Sequence, residues 1–382
     1  MTLQTSSNCT LSSTAAGAAA AGATQMAMGS EGPLDDFAQA YQGIHGYISC
    51  VVCVIGLLFN VMNIIVLTRR NMITSTNIIL SALATADMLT MLCYLPYASY
   101  FYIYARPDPM YFHSKGWIIY LLFNQNFVIT AHTIAMWLTV SLAVFRYIVV
   151  CHHTLGPSLC NIRRAKLTIF LVFSITTACC VPNYLLLVLD QIHYDGRTGY
   201  WFKLNPMVNE FVKVSTFWLY GVVLKVAPCV LLSVLSGLLL RAMHIADANR
   251  RRLKGPNSKR SENDATSEHN RTTAMLLAVV FCFVVTEFPQ GILAFLSGVD
   301  SNVFTKVYVP LGDVFDITVL VNSAVNFLLY CIMSRQFRKT FKDVFCCPAS
   351  RCHKASTTSR SSNGVHYAPV ASTTAYTKST RL

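Results

Sequence analysis

Seven long apolar segments constrain the fold of this chain more than any other feature of its sequence. They lie near residues 45–68, 75–104, 116–150, 165–189, 214–246, 272–298 and 308–333. A bilayer core is about 30 Å thick, so roughly 20 mainly apolar residues are needed for one helical crossing. Backbone polar groups must be paired within lipid, so these segments should be helices. The sequence therefore predicts an all-α protein, a seven-transmembrane helix bundle.

The distribution of basic residues predicts how the bundle is oriented. Only 12% of the 382 residues are charged, against about a quarter in soluble proteins. Most of the net charge of +13 lies in alternate loops and in the tail. By the positive-inside rule these loops face the cytosol. We therefore expect a multi-pass plasma-membrane protein with its N-terminus outside and its C-terminus in the cytosol. The same asymmetry excludes a nucleic-acid partner.

Composition divides the chain into four predicted regions. Residues 1–42 are predicted to be a disordered extracellular N-terminus, with a glycosylation sequon at Asn8. Residues 43–334 form the seven-transmembrane domain, 335–347 an amphipathic juxtamembrane helix, and 348–382 a disordered cytoplasmic tail. The chain has 14 cysteines, but the predicted outer loops contain none. The sequence therefore predicts no disulfide between those loops.

Short motifs recur in order along the predicted spans. They are Gly56 and Asn60; Asn77, Leu83, Ala84 and Asp87; Phe145-Arg146-Tyr147; Pro228; Glu287-Phe288-Pro289; and Asn322-Ser323 followed by Asn326-Phe327-Leu328-Leu329-Tyr330. From residue 45 to about 347 this series resembles the rhodopsin-like, or class A, G-protein-coupled receptors. Within that class the chain resembles the invertebrate myosuppressin and related FMRFamide-like neuropeptide receptors. The segments that carry this closer resemblance are 137–140, 225–229, 286–291 and 322–330.

The resemblance implies a function and partners. It implies a receptor, not an enzyme, for an extracellular amidated neuropeptide, acting through a heterotrimeric G protein of the inhibitory class. Five features depart from the wider class. Phe145 replaces an acid, Glu287 a tryptophan and Phe327 a proline, span four lacks its tryptophan, and the usual cysteine pair is missing.

Two opposite charges are predicted to meet inside the bundle. Lys225 in span five and Glu287 in span six each lie 11 residues from the predicted outer end of their span. At about 1.5 Å per residue, both are roughly 16 Å deep. A buried pair can be purely structural. Alternatively it can act as a switch, in which a ligand arginine competes for Glu287 and span six moves about Pro289, where the helix lacks a backbone donor.

Further acids and aromatic residues are predicted to complete a ligand pocket. Asp313 and Asp316 share one face of span seven, and a carboxylate can hold a guanidinium group by paired hydrogen bonds. Asp316 is the favoured contact, whereas Asp313 is expected to be solvated near the loop. Gln125 and His132 in span three are both candidates to face the cavity, but His132 is expected to be an ordinary core residue. Apolar and aromatic candidates for a ligand ring are Tyr97, Tyr100, Phe123, Phe127 and Phe295.

A second polar site is predicted at mid-span. With the family's packing, Asp87 faces Asn322, Ser323 and Asn326. Oxygen ligands suit a hard cation such as sodium, which would act as an allosteric modulator. The alternative is a neutral, hydrogen-bonded carboxylic acid. No other cofactor is expected.

The predicted cytosolic end carries the coupling residues. The resemblance assigns G-protein contact to Arg146, with Tyr147, Tyr330 and Asn326 beside it and Pro228 and Pro289 as hinges. Glu268 is a candidate partner for Arg146, since Phe145 cannot form the usual ion pair.

The segment after span seven carries candidate modification and docking sites. Residues 335–345 alternate basic and aromatic faces and should lie on membrane lipids. Cys346 and Cys347 are palmitoylation candidates. The Ser/Thr-rich tail could take kinases and arrestin, and Thr380-Arg381-Leu382 fits a PDZ ligand.

Other functions remain open at this stage. A membrane transporter would show paired repeats and broken helices, which the sequence lacks. A receptor for a different cationic ligand would use the same buried acids. A retinal photoreceptor would need a lysine in span seven, and none is present.

Overall fold

The computed structural model describes residues 33–105, 113–152, 154, 156–194, 197–253, 281–282, 284–297 and 299–346. Its long helices are α1 (Pro33–Leu67), α2 (Ser75–Ala98), α3 (Lys115–Cys151), α4 (Ile162–Tyr184), α5, α6 (Val284–Ser297), α7 (Gly312–Met333) and α8 (Arg335–Phe345). Helix α5 comprises Glu210–Trp218, a π-helical segment Leu219–Val226, and Ala227–Leu253. Further π-helical segments, Ser99–Tyr104 and Phe304–Tyr308, follow α2 and precede α7.

The predicted helix bundle is confirmed. Among the described residues, six helices are long and apolar enough to cross a membrane, namely α1 to α5 and α7. The shorter apolar helix α6 is the described part of the predicted span 272–298, most of whose first half lies outside the described residues.

Side-chain caps fix where several helices begin. Thr74 accepts a hydrogen bond from the backbone N–H of Asn77 at the start of α2, and Asn161 accepts one from Arg164 at the start of α4. Such caps satisfy backbone donors that have no partner within the helix. Because Thr and Asn favour these positions, the starts of both helices can be read from the sequence.

Helix α1 begins ten residues before the boundary predicted from composition. Pro33 is its first residue, and Asp35 and Asp36 occupy its first turn. Proline suits a first helical position, and acids there interact favourably with the helix dipole. The rings of Phe37 and Tyr41 stack at 5.9 Å, and Tyr41 lies 5.5 Å from the His45 ring. Residues 33–42 are therefore helical, not disordered as the sequence predicted.

Close packing joins α1 to α2 and α7. A Cβ atom placed on Gly56 would clash with Met91 of α2 and lie 3.2 Å from the Ala324 side chain of α7. A side chain at Gly56 would therefore require the end of the Met91 side chain to move and would crowd Ala324. Helix α3 packs against α2, α4 and α5 and so forms the centre of the bundle.

An antiparallel hairpin, not anticipated from the sequence, covers one end of the bundle. Strands β1 (Leu187–Tyr194) and β2 (Arg197–Leu204) pair with Leu187 opposite Leu204. Leu187 and Phe202 are buried in one cluster with residues of α2 and α3. We call this the hairpin end, and the opposite end, where Arg146 lies, the Arg146 end.

Hydrogen bonds and ring stacking hold the hairpin in place without a disulfide. The backbone N–H of Tyr200 donates to the His113 carbonyl at 3.3 Å, and the His113 ring stacks on Trp201 at 5.6 Å. Lys203 Nζ lies 2.8 Å from Asp190 Oδ1. This contact lowers the pKa of the Asp190 carboxyl below its ordinary value, because the hydrogen bond favours the ionised form.

Helix α8 follows α7 at the Arg146 end, as predicted. Its Phe337 is 1% exposed and contacts Phe327 and Tyr330 of α7. Asn71 Nδ2 donates to Thr340 Oγ1 at 2.9 Å. Residues up to Thr340 form one compact unit, and a second unit begins at Phe341.

In that second unit the rings of Phe341 and Phe345 lie 4.8 Å apart. Cys346 is exposed. The predicted partner cysteine, Cys347, lies outside the described residues, as does the tail from 348 onward.

Candidate functional site

A buried carboxylate on α6 is surrounded by basic side chains from two neighbouring helices. Glu287 is fully buried. Its Oε2 atom lies 4.0 Å from Lys225 Nζ of α5, and its Oε1 atom lies 3.2 Å from His132 Nε2 of α3. The predicted Lys225–Glu287 pair is therefore present at the outer limit of an ion-pair contact. We call these three residues the buried triad.

The expectation that His132 is an ordinary core residue is wrong. It is the nearer of the two partners of Glu287. The sequence contained a weak signal: His132 lies seven residues after Gln125, so both share one face of α3. Depth alone could not show that this face points toward α6.

Lys225 lies in an irregular segment of α5. The π-helical segment Leu219–Val226 widens α5 where Lys225 lies. Such segments often occur at functional sites, because an extra residue in the turn re-aims the side chains. The helix returns to regular α geometry at Ala227, and the next residue, Pro228, is buried.

The two acids of α7 accept hydrogen bonds near the hairpin end from one tyrosine of α2 and one of the π-helical segment that follows α2. Tyr94 donates its hydroxyl hydrogen to Asp316 Oδ2 at 3.0 Å, and Tyr102 donates to Asp313 Oδ1 at 2.6 Å. Both acids are half-buried. The prediction that Asp313 is merely solvated is therefore wrong. We call Asp313 and Asp316 the α7 acids.

Of the predicted aromatic contacts, the structure brings Tyr97 to the α7 acids. Its ring lies 5.2 Å from Tyr94 and 5.8 Å from Tyr102. The inward position of Gln125 on α3 stays a prediction.

The other aromatic candidates take part in separate ring contacts. Tyr100 stacks on Trp117 at 3.7 Å, Phe123 on Phe127 at 5.2 Å, and Phe295 lies 5.9 Å from Trp218. Phe123 and Phe295 are both exposed on the protein surface. The structure therefore does not group them with the α7 acids.

Two of the predicted mid-span residues are in contact. Asp87 is 2% exposed and accepts a hydrogen bond from Asn326 Nδ2 at 3.0 Å. Asn322 and Ser323 are also buried. Asn60 Nδ2 donates to the Ser323 carbonyl at 3.1 Å, whereas its Oδ1 atom is buried without a hydrogen-bond partner among the described residues.

At the Arg146 end, the residue before Arg146 is not an acid and cannot form an ion pair with it. The preceding Phe145 is buried, and Arg146 Nε is buried without a hydrogen-bond partner among the described residues. The Tyr147 ring lies 5.9 Å from His152. The proposed partner Glu268 lies outside the described residues.

Two further residues of the predicted coupling set, Tyr330 and Pro289, differ from each other in burial. Tyr330 is 2% exposed and packs against Phe337 of α8. The Pro289 side chain is exposed on the side of α6 nearly opposite the buried Glu287, because the two residues are two positions apart in the helix. The sequon at Asn8 lies outside the described residues.

Comparison with known proteins agrees with this architecture. The profile of the serpentine type 7TM GPCR chemoreceptor Srw family matches residues 47–348. The chain is 32% identical over 364 residues to the G-protein coupled receptor dmsr-1 of Caenorhabditis elegans, covering 84% of this chain and 71% of that protein.

Two relatives from Drosophila melanogaster are also similar. The sex peptide receptor is 28% identical over 79% of this chain and 72% of its own length. The FMRFamide receptor is 26% identical over 78% of this chain and 53% of its own length. The chain is a multi-pass membrane protein and a receptor rather than an enzyme, as the sequence analysis predicted. It belongs to the serpentine seven-transmembrane family of G-protein-coupled receptors.

Proposed function

We propose that this receptor is activated by an amidated, arginine-bearing neuropeptide that enters from the hairpin end, which faces outside at the plasma membrane. The α7 acids carry this proposal. They are two half-buried carboxylates, three residues apart, in a helix that has no basic side chain. Ionisable groups within a membrane protein normally face the bundle interior or water and mark functional sites.

The α7 acids retain capacity for a cation after their tyrosine contacts are made. An ionised carboxylate has about four acceptor sites. Tyr94 uses one site on Asp316, and Tyr102 uses one on Asp313. A planar guanidinium group can therefore still form paired hydrogen bonds with Asp316. The names of the relatives support a peptide: sex peptide in one case and FMRFamide in another.

The buried triad is suited to transmit binding across the bundle. Lys225 of α5 and His132 of α3 both contact Glu287 of α6. A cationic group that competes for Glu287 weakens both contacts at once, so α6 is released from two helices. Coupling needs two states of the receptor with different ligand affinity. In this proposal the triad contacts hold the ligand-free state and are broken in the ligand-bound state.

At the Arg146 end, the released helices expose Arg146 to a heterotrimeric G protein of the inhibitory class. Tyr147, Tyr330 and Asn326 support the same surface, with Pro228 and Pro289 as hinges. The Asp87 site fits a sodium ion in the resting state, because Asn60 Oδ1, which has no hydrogen-bond partner among the described residues, offers a buried oxygen beside Ser323.

The proposal also includes partners of the chain ends. Palmitoyl groups on Cys346 and Cys347 would anchor α8 to membrane lipids, and a glycan would be attached at Asn8. Receptor kinases and arrestin would act on the Ser/Thr-rich tail, and Thr380-Arg381-Leu382 would dock a PDZ protein.

The test is a panel of amidated peptides with non-amidated versions as controls, applied to cells with a G-protein activation reporter. The Asp316→Asn variant keeps the shape of the side chain and removes its charge. The control is Asp300→Asn, because Asp300 is an exposed acid just beyond α6 whose side-chain oxygen accepts hydrogen bonds from the backbone N–H and the side-chain amide of Asn302.

We expect Asp316→Asn to lower potency by about ten- to a hundredfold, the effect of losing a charged hydrogen bond. Asp300→Asn should leave potency unchanged. Arg146→Ala should bind peptide but fail to activate the G protein. Equal potencies in the two aspartate variants would contradict the proposed pocket, and a response to none of the amidated peptides would contradict the ligand class.

A further inference from the structure

A histidine of α1 forms part of the polar cluster around the α7 acids. His45 is fully buried. Its Nε2 atom lies 3.0 Å from the Tyr94 hydroxyl oxygen and 3.2 Å from Ser49 Oγ. Tyr94 in turn donates to Asp316. These contacts form a chain of hydrogen bonds from α1 through α2 to α7.

Counting protons fixes the direction of this chain. A tyrosine hydroxyl has one hydrogen, and Tyr94 gives it to the Asp316 carboxylate. With Asp316 ionised, the hydroxyl oxygen can then only accept, so His45 donates from Nε2, and Ser49 Oγ can only share this N–H as a second acceptor. In the neutral ring Nδ1 is the unprotonated nitrogen, and it is buried without a hydrogen-bond partner among the described residues. His45 is therefore the donor at the far end of a directed relay.

Helix packing holds His45 in this position. Its ring lies 4.7 Å from the Tyr102 ring. The next residue, Gly46, has no side chain, and a Cβ atom there would lie 2.5 Å from Tyr102 Cβ. Helix α1 can therefore approach the π-helical segment Ser99–Tyr104 only with glycine at 46. The close approach sets the distance from His45 to Tyr94.

We propose that His45 is a positioning residue for ligand recognition, which through Tyr94 orients the Asp316 carboxylate toward a cationic group of the ligand. The inference rests on the proposed function, since it concerns the same acid. It makes recognition of the ligand depend also on α1, a helix in which no ligand contact was predicted. Without the His45 donor, the Tyr94 hydroxyl can rotate to other acceptors, and Asp316 then loses its fixed orientation.

Two substitutions of similar size separate this role from a packing role. In glutamine the amide nitrogen is as many bonds from Cα as Nε2 is in histidine, so His45→Gln keeps a donor in reach of Tyr94. In asparagine the amide is one bond shorter and matches Nδ1. His45→Asn therefore keeps a polar group but withdraws the donor. Both variants remove the aromatic ring, so loss of ring packing affects them alike.

The experiment measures binding of the peptide Phe-Met-Arg-Phe-amide and its analogue with citrulline in place of arginine, on the full-length receptor in membranes. Citrulline has nearly the shape of arginine without its charge. The ratio of the two affinities reports recognition of the cation and does not depend on the number of folded receptors. The same ratio is measured for Tyr94→Phe alone and combined with His45→Asn.

We expect the wild-type receptor and His45→Gln to prefer the arginine peptide to a similar extent. His45→Asn should reduce that preference by about three- to tenfold, the effect of one hydrogen bond. In the double variant, His45→Asn should add nothing to Tyr94→Phe, because the relay is already broken.

The inference is overturned if wild type discriminates the two peptides and His45→Asn does so equally, or if Gln and Asn reduce the preference equally. It is also overturned if the effects of His45→Asn and Tyr94→Phe add. A wild-type receptor that binds both peptides alike would overturn the proposed cation pocket itself, and the inference with it.

Discussion

Removing the charge of Glu287 is the sharpest test of how the buried triad works. The variant Glu287→Gln keeps the side-chain shape but takes the carboxylate from Lys225 at 4.0 Å and from His132 at 3.2 Å. At 4 Å and an effective dielectric constant of 20, two unit charges attract by about 4 kcal/mol. Breaking a buried pair typically costs about 3–5 kcal/mol, because the remaining charge stays buried.

We therefore expect the purified, ligand-free Glu287→Gln receptor to lose thermal stability by an amount of this order. The control is Phe288→Leu, which changes the adjacent, exposed residue of α6 and should melt close to the wild-type temperature. In the double variant Glu287→Leu with Lys225→Met, stability should return, since an apolar pair often replaces a buried ion pair without loss.

Signalling separates a switch from a structural pair. If the triad transmits binding, the double variant will be stable and reach the membrane but will respond weakly to agonist. Recovery of both stability and response would show that the pair is only structural. A Glu287→Gln receptor that melts with wild type would refute the reasoning altogether, because no buried charge would then have been left without its partner.

Three further predictions concern packing and pH. Gly46→Ala should lower thermal stability because the added Cβ meets a neighbouring tyrosine. The control Gly43→Ala, which has no atom within 4 Å of the added Cβ, should be as stable as wild type or more stable by up to about 1 kcal/mol. Equal losses of stability in the two variants would contradict the close approach of α1. Phe337→Ala empties a site that is 1% exposed, so it should cost about 3–5 kcal/mol of stability, and proteolysis near α8 should become faster. The hydrogen bond from Lys203 lowers the pKa of Asp190, so this contact stabilises the hairpin at any pH above the ordinary carboxyl pKa and is lost only as the pH falls through the lowered pKa. The melting temperatures of Asp190→Asn and wild type should therefore differ by a small constant amount between pH 6 and 8. A difference that changes over this range would contradict the assignment.

Most of the bundle could be predicted from one physical requirement. Apolar length and the need to pair backbone groups in lipid gave the spans, usually within a few residues. The exceptions are the start of α1, where composition suggested disorder up to residue 42 but the helix begins at Pro33, and the end of span four, predicted at residue 189, where α4 ends at Tyr184 and strand β1 begins at Leu187. Ring contacts from Phe37 to His45 stabilise the α1 extension. They join residues four apart on one helix face, a spacing that composition alone does not record.

The hairpin was missed for a different reason. Its strands are short, and a two-stranded hairpin is marginal without further packing. Leu187 and Phe202 are buried only because the ends of α2 and α3 lie beneath them. The anchoring contacts, such as Trp201 on His113, join segments that are far apart in sequence.

The sequence by itself determined that this protein crosses a membrane through apolar helices and carries a few costly charges inside them. It also placed Lys225 and Glu287 at matching depths, since helical rise converts residue number into depth. Only the tertiary structure decided which charges meet. Rotation of each helix about its axis sets the partners, and this rotation depends on side-chain packing, π-helical segments and close approaches at glycine. For this reason His132 joined Glu287, and Tyr94 linked His45 to Asp316.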